Sequence, residues 1–130
     1  MKALIVEDDP ELGYLWSEAL DEIGASCEVA RSNKDAMSLA LRQKFDLIVL
    51  DLFIEDGTTV GISDWLSIRM PEVPILMITG SNMFPNGEHT QVAPGVRWLL
   101  RKPVKVVDLQ VIAQHLCAAK QKVLSIEDAA

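Results

Sequence analysis

Apolar residues along this chain come in two alternating patterns. Short, dense runs occur at residues 3–6 (ALIV), 26–30 (SCEVA), 46–50 (DLIVL), 74–79 (PILMIT) and 96–100 (VRWLL). Four of them are nearly continuous in hydrophobicity, as strands covered on both faces must be. Between the runs the spacing becomes helical. Over residues 10–24, Leu12, Leu15, Trp16, Ala19, Leu20 and Ile23 recur at helical intervals. Asp9 suits the N-cap of that helix, Pro10 its first turn and Gly24 its end. A second helix is predicted from about Lys34 to Gln43, with Ala36, Met37, Ala40 and Leu41 inward. A third contains Ile62, Trp65 and Leu66 and ends before Pro71. A last one starts near Lys105 and buries Leu109, Ile112, Ala113 and Leu116. Residues 81–95 hold Pro85, Gly87, Pro94 and Gly95 with poor apolar spacing, which allows a short or irregular helix at best.

The order is strand then helix, repeated five times with one weak helix. Such alternation implies a parallel sheet with right-handed crossovers and helices on both faces. Sites in these folds lie beyond the carboxyl ends of the strands. A length of 130 residues fits one domain, and 49% apolar residues are too many for a disordered chain. No apolar run is long enough to cross a bilayer, and only four apolar residues separate Lys2 from the first acids, too few for a signal peptide. A cytoplasmic protein without membrane contact is the expectation. Cys27 and Cys117 stand apart from each other and from any His cluster, so they read as reduced thiols packed as small hydrophobes. A net charge of −7 argues against direct nucleic-acid binding through a broad basic face.

The candidate chemistry sits at strand ends. The first run stops in three acids, Glu7, Asp8 and Asp9. Adjacent carboxylates repel, and removing them from water is costly unless something compensates. The third run ends in Asp51, the fourth in Thr79, and Lys102 follows the fifth. Singly, these residues have plain explanations: Asp9 as an N-cap, Asp51 as a turn residue, Thr79 as a strand end, Lys102 as a solvated loop charge. Together, in a parallel sheet, they gather Glu7, Asp8, Asp51, Thr79 and Lys102 on one rim. Clustered carboxylates form a site for a hard cation, and few protein ligands with retained waters suit Mg²⁺. A carboxylate there can act as a nucleophile toward phosphorus, with the metal and Lys102 neutralising phosphoryl oxygens.

From Lys2 to about Ala119 the chain resembles the response-regulator receiver domains of two-component signalling. The resemblance rests on I-V-E-D at 5–8, L-D at 50–51, I-T-G at 78–80 and K-P at 102–103, in that order. It implies a five-stranded doubly wound parallel sheet of order 2-1-3-4-5, a flavodoxin-like α/β sandwich of three layers. It implies that Asp51 accepts a phosphoryl group from a sensor histidine kinase or histidine phosphotransfer protein. Mg²⁺ would be held by Glu7, Asp8, Asp51 and the backbone carbonyl of Phe53. Thr79 matches the switch hydroxyl and Lys102 the phosphate-sensing lysine. The chain departs from the family at four places, one being residues 81–95, a segment that is usually part of the signalling face and is atypical here. Leu99 stands where an aromatic residue is usual, and its neighbour Trp98 points to the opposite face of the strand. Glu55 stands where Pro is frequent. Gly57 and Gly61 give the 51–61 loop room for a different path.

The expected organisation is a receiver domain over residues 1–122 and a tail over 123–130, with no output domain. The signal would pass to a downstream effector protein or to an output domain absent from this sequence. The domain is expected to promote only its own phosphorylation and dephosphorylation, and so not to be an enzyme. Alternatives are a degenerate receiver acting only as a binding module, or a haloacid-dehalogenase-like phosphatase with an Asp nucleophile. The latter needs D-x-D, where this chain has Asp51-Leu52-Phe53. A flavin-binding flavodoxin-like protein would need a phosphate loop after the first strand, where acids would repel phosphate.

Overall fold

The computed structural model describes residues 1–80 and 93–129, with the side chains of the last helix described as far as Ala119. The elements in chain order are β1 (Lys2–Val6), α1 (Pro10–Asp21), β2 (Ser26–Ala30), α2 (Asn33–Arg42), β3 (Leu47–Asp51), β4 (Phe53–Ile54), β5 (Gly57–Thr58), α3 (Val60–Arg69), β6 (Ile75–Thr79), β7 (Val96–Arg101) and α4 (Val106–Ala129). The region 81–92, for which the sequence predicts an irregular helix, lies outside the described residues.

A five-stranded parallel sheet runs β2-β1-β3-β6-β7. Counting sheet strands alone, that is the order 2-1-3-4-5. β4 and β5 form a separate antiparallel hairpin inserted between β3 and α3. The central strands β3 and β6 are buried at every position, which is why their sequences are apolar without alternation. Alternate residues enter opposite cores. Leu4, Val6, Ile48, Leu50 and Met77 pack with Ala36, Ala40, Ile62 and Leu66 on the α2–α3 side. Ala3, Ile5, Val49, Leu76 and Ile78 pack with Trp16, Leu20, Leu109 and Ala113 on the α1–α4 side. Each buried Leu or Ile contributes roughly 1.5–3 kcal/mol, so the central strands anchor the rim on which the polar residues stand.

Local chemistry starts the helices. The Asp9 carboxylate accepts hydrogen bonds from the Glu11 and Leu12 amides and caps α1 ahead of Pro10. The Ser32 hydroxyl accepts from the Asp35 amide at 3.1 Å and caps α2. Gly24, at φ 93°, adopts the left-handed conformation that ends the α1 segment.

Two inward assignments from periodicity, Met37 and Leu41, are corrected, and Leu15 on the apolar spacing of α1 also turns outward. Leu15, Met37 and Leu41 are exposed. On α2 the inward face carries Ala36, Leu39 and Ala40 instead. α2 lies over the β1–β2 end of the sheet. The apolar arc of the helix is therefore wider than the surface beneath it. The last helix, α4, continues to Ala129, so residues 123–129 are helical.

Candidate functional site

Five polar residues end up on the rim formed by the carboxyl ends of β1, β3, β6 and β7. Glu7 follows β1, and its amide bonds the Ala30 carbonyl at 2.9 Å. Asp51 closes β3, in register with Ile78. Thr79 closes β6, and its carbonyl accepts from the Lys102 amide at 2.7 Å. The Lys102–Pro103 peptide is cis. One carboxylate oxygen each from Glu7, Asp8 and Asp51 lies within 4.8 Å of the others. The Lys102 ammonium reaches Asp51 Oδ2 at 2.7 Å. Lys102 Nζ also lies 5.9 Å from the centre of the Trp16 ring.

The site is an electrostatic compromise. Glu7 is 1% exposed and Asp51 4% exposed. Glu7 Oε1 accepts from the Asp9 amide at 3.3 Å, while Oε2 is buried without a hydrogen-bond partner among the described residues. Burial, then the hydrogen bond and charge of neighbouring Asp51, push the Glu7 carboxyl up to about 8, against the opposing pull of Lys102 and the Asp9 amide. Burial works against the Lys102 charge, but its bond to Asp51 and the charges of Asp51, Glu7 and Asp8 outweigh it and raise the ammonium above its ordinary value. Three clustered carboxylates, an unpartnered buried oxygen and an all-oxygen donor set fit a hard divalent cation such as Mg²⁺.

The hairpin frames the site from the other side. Glu55, where the resemblance leads one to look for Pro, donates its amide to Asp8 Oδ2 at 2.6 Å. The Phe53 amide donates to Asp51 Oδ1 at 3.3 Å. The hairpin is tied in turn to the start of α2. The Asn33 amide donates to Asp56 Oδ2 at 3.2 Å, and its side chain donates to the Thr58 carbonyl at 3.1 Å. Thr79 Oγ1 is buried and has no hydrogen-bond partner among the described residues.

The receiver-domain family model of response regulators matches residues 3–114. The chain belongs to the response regulator receiver family. Among curated proteins this receiver is 35% identical over 78 residues to the response regulator protein PilR of Pseudomonas aeruginosa, covering 60% of this chain and 18% of PilR. It is 27% identical over 114 residues to the nitrogen assimilation regulatory protein NtrX of Azorhizobium caulinodans, covering 86% of this chain and 25% of NtrX. It is 33% identical over 79 residues to the transcriptional regulatory protein CusR of Escherichia coli, covering 61% of this chain and 35% of CusR. The chain thus spans about a third or less of the length of these relatives. Among solved structures, the receiver resembles a CheY-like receiver domain from Methanospirillum hungatei at a TM-score of 0.85, with 21% identity, covering 93% of this chain and 96% of that one. It resembles a receiver domain from Clostridium thermocellum at 0.83, with 18% identity, covering 94% and 98%. These likenesses bear on the fold, which is the doubly wound sheet that the strand pattern implies.

Two features of the receiver went unnoticed in its sequence. One is the Glu55 amide on Asp8. The other is Thr59, whose hydroxyl donates to the Asp51 carbonyl at 2.8 Å while fully buried. Thr59 precedes α3, so its sequence position reads as an N-cap, yet its side chain makes no cap bond. Trp98 and Leu99 do face opposite ways. Leu99 packs toward the α2–α3 core. Trp98 is partly exposed and meets His115 of α4 edge-on at 6.1 Å between ring centres.

Proposed function

We propose that this receiver is a phosphorylation-switched signalling domain whose phosphoacceptor is Asp51. The observation that carries this reading is the placement of Asp51: a buried carboxylate within 4.8 Å of Glu7 and Asp8 oxygens and 2.7 Å from the Lys102 ammonium. The donor is a phosphohistidine on a sensor histidine kinase or histidine phosphotransfer protein. An Asp51 oxygen forms the new P–O bond while the P–N bond to the donor breaks, the imidazole nitrogen keeping the electron pair. Lys102 is positioned to follow the negative charge from the carboxylate onto the phosphoryl oxygens. Glu7, Asp8 and Asp51, with the Phe53 carbonyl, would hold Mg²⁺. When bound, the ion supplies positive charge against the acids and the phosphoryl group. The Thr79 hydroxyl, without a hydrogen-bond partner among the described residues, is a donor for a phosphoryl oxygen, which would couple the site to the chain beyond β6. The domain assists only its own phosphorylation and dephosphorylation, and it signals to an effector protein or an attached output domain.

The test is mass measurement after treatment with acetyl phosphate and Mg²⁺. One phosphoryl group is expected on Asp51, and none on Asp51→Asn, whose amide is a far poorer nucleophile. Full stoichiometry in the Asn variant would move the acceptor elsewhere.

A further inference from the structure

We infer that Thr59 is a positioning residue for the Asp51 carboxylate, acting through two successive peptide groups. The inference rests on the reading of Asp51 as phosphoacceptor. The first peptide, between Asp51 and Leu52, has its carbonyl held by the Thr59 hydroxyl at 2.8 Å and its N–H bonded to the Ile78 carbonyl at 2.8 Å. The second, between Leu52 and Phe53, has its carbonyl held by the Thr59 amide at 2.9 Å. Its N–H is the one that donates to Asp51 Oδ1 at 3.3 Å. One residue therefore grips both carbonyls, and the far edge of the second peptide points at the acceptor carboxylate. The Phe53 amide and Lys102 take one carboxylate oxygen each, Oδ1 and Oδ2. That pair of bonds sets the angle of the carboxylate plane.

Three facts define this role. Thr59 is 0% exposed, so water cannot replace its hydroxyl. It occupies the N-cap of α3 without a side-chain bond to that helix. Its carbonyl accepts from the Ser63 amide at 2.9 Å, so the residue is itself anchored by the first turn of α3. The carboxylate is thus held from two sides, by the rigid sheet through Ile78 and by α3 through Thr59. Loss of the hydroxyl alone leaves the Asp51 carbonyl buried without that donor and frees the first peptide to rotate. Misaiming a reacting group by a fraction of an ångström is enough to slow a transfer by roughly tenfold or more.

The experiment compares wild type, Thr59→Ser, Thr59→Val and Thr59→Ala. Each is assayed for phosphorylation rate against acetyl phosphate concentration at saturating Mg²⁺, alongside its melting curve. Thr59→Ser is expected to react within about twofold of wild type, because the hydroxyl is kept. The Val and Ala variants are expected to be folded but at least about tenfold slower at saturating phosphodonor, since aim and not donor binding is lost. Equal rates in Val and wild type would overturn the proposal. So would equal loss in Ser and Val, because Ser keeps the hydroxyl to which the role is assigned. Failure of both Val and Ala to fold would make Thr59 a stability residue and overturn it as well. Wild-type protein that takes no phosphoryl group on Asp51 would defeat the proposed function and this inference together. Phosphorylated wild type with an unimpaired Val variant would defeat the inference alone.

Discussion

Glu7 carries the residue-scale consequence of packing three acids together. Its carboxyl titrates near 8 in the folded protein against 4.5 as the ordinary value. Between those values the folded state holds a proton that the unfolded chain has released. The Glu7 contribution to stability is therefore fully present below about pH 4.5, falls as pH rises toward 8, and levels off above it. For the metal-free protein the loss should be on the order of a few kcal/mol. Saturating Mg²⁺ should shrink or reverse the slope, because a cation favours the ionised carboxylate. Urea unfolding with chelator at pH 5, 6.5 and 8, for wild type and Glu7→Gln, measures this. A slope as steep in the Gln variant as in wild type would place its origin elsewhere. Asp51 and Lys102 are residues whose sequence positions already pointed to the rim: Asp51 closes one apolar run, and Lys102 follows another with only Arg101 between. Thr59 gave no such signal, since a hydroxyl before a helix has a cheaper local explanation.

At the scale of elements, β7 is seated against α3 by a close approach at Gly95. A Cβ on Gly95 would lie 2.3 Å from Ser67 Cβ and 2.6 Å from Ser67 Oγ. Gly95→Ala should destabilise the fold by about 1–3 kcal/mol. Ser67→Ala should not rescue it, because the nearest clash is with the Ser67 Cβ that Ala retains. Ser67→Gly in the same background should recover part of the loss. Denaturant titration of the four proteins decides the point, and a neutral Gly95→Ala would show that β7 can shift away from α3 without penalty. The strands were readable because burial on both faces forces continuous apolar runs. The helices were readable in position but less so in orientation. Leu15, Met37 and Leu41 keep helical spacing with their neighbours yet face solvent.

For the whole molecule, charge sets the expectation. At a net −7, the isolated 130-residue chain should not retard duplex DNA at any salt concentration. CusR, a transcriptional regulatory protein, is matched over 35% of its length, so its regulatory activity need not reside in the part shared with this chain. Tight, salt-sensitive retardation by the purified chain would contradict this. Among the described residues no helix is long and apolar enough to cross a membrane.

What the sequence determined by itself was the five strands of the sheet, the alternation with helices, and hence the rim on which Glu7, Asp8, Asp51, Thr79 and Lys102 meet. Those follow from local rules: period-dependent burial, capping at Asp9, and the geometry of parallel crossovers. Only the tertiary structure decided which atoms meet across that rim. Lys102 and Asp51 are 51 residues apart, and Glu55 and Asp8 are 47 apart. The hairpin that brings the Glu55 amide to Asp8, and Thr59 to the Asp51 carbonyl, consists of two two-residue strands too short to leave a periodic signal. Hydrophobic periodicity reports which face of an element is apolar. It carries no information about how wide the opposing surface is, or about which buried oxygen a loop amide will find, because both depend on the packed arrangement of elements distant in sequence.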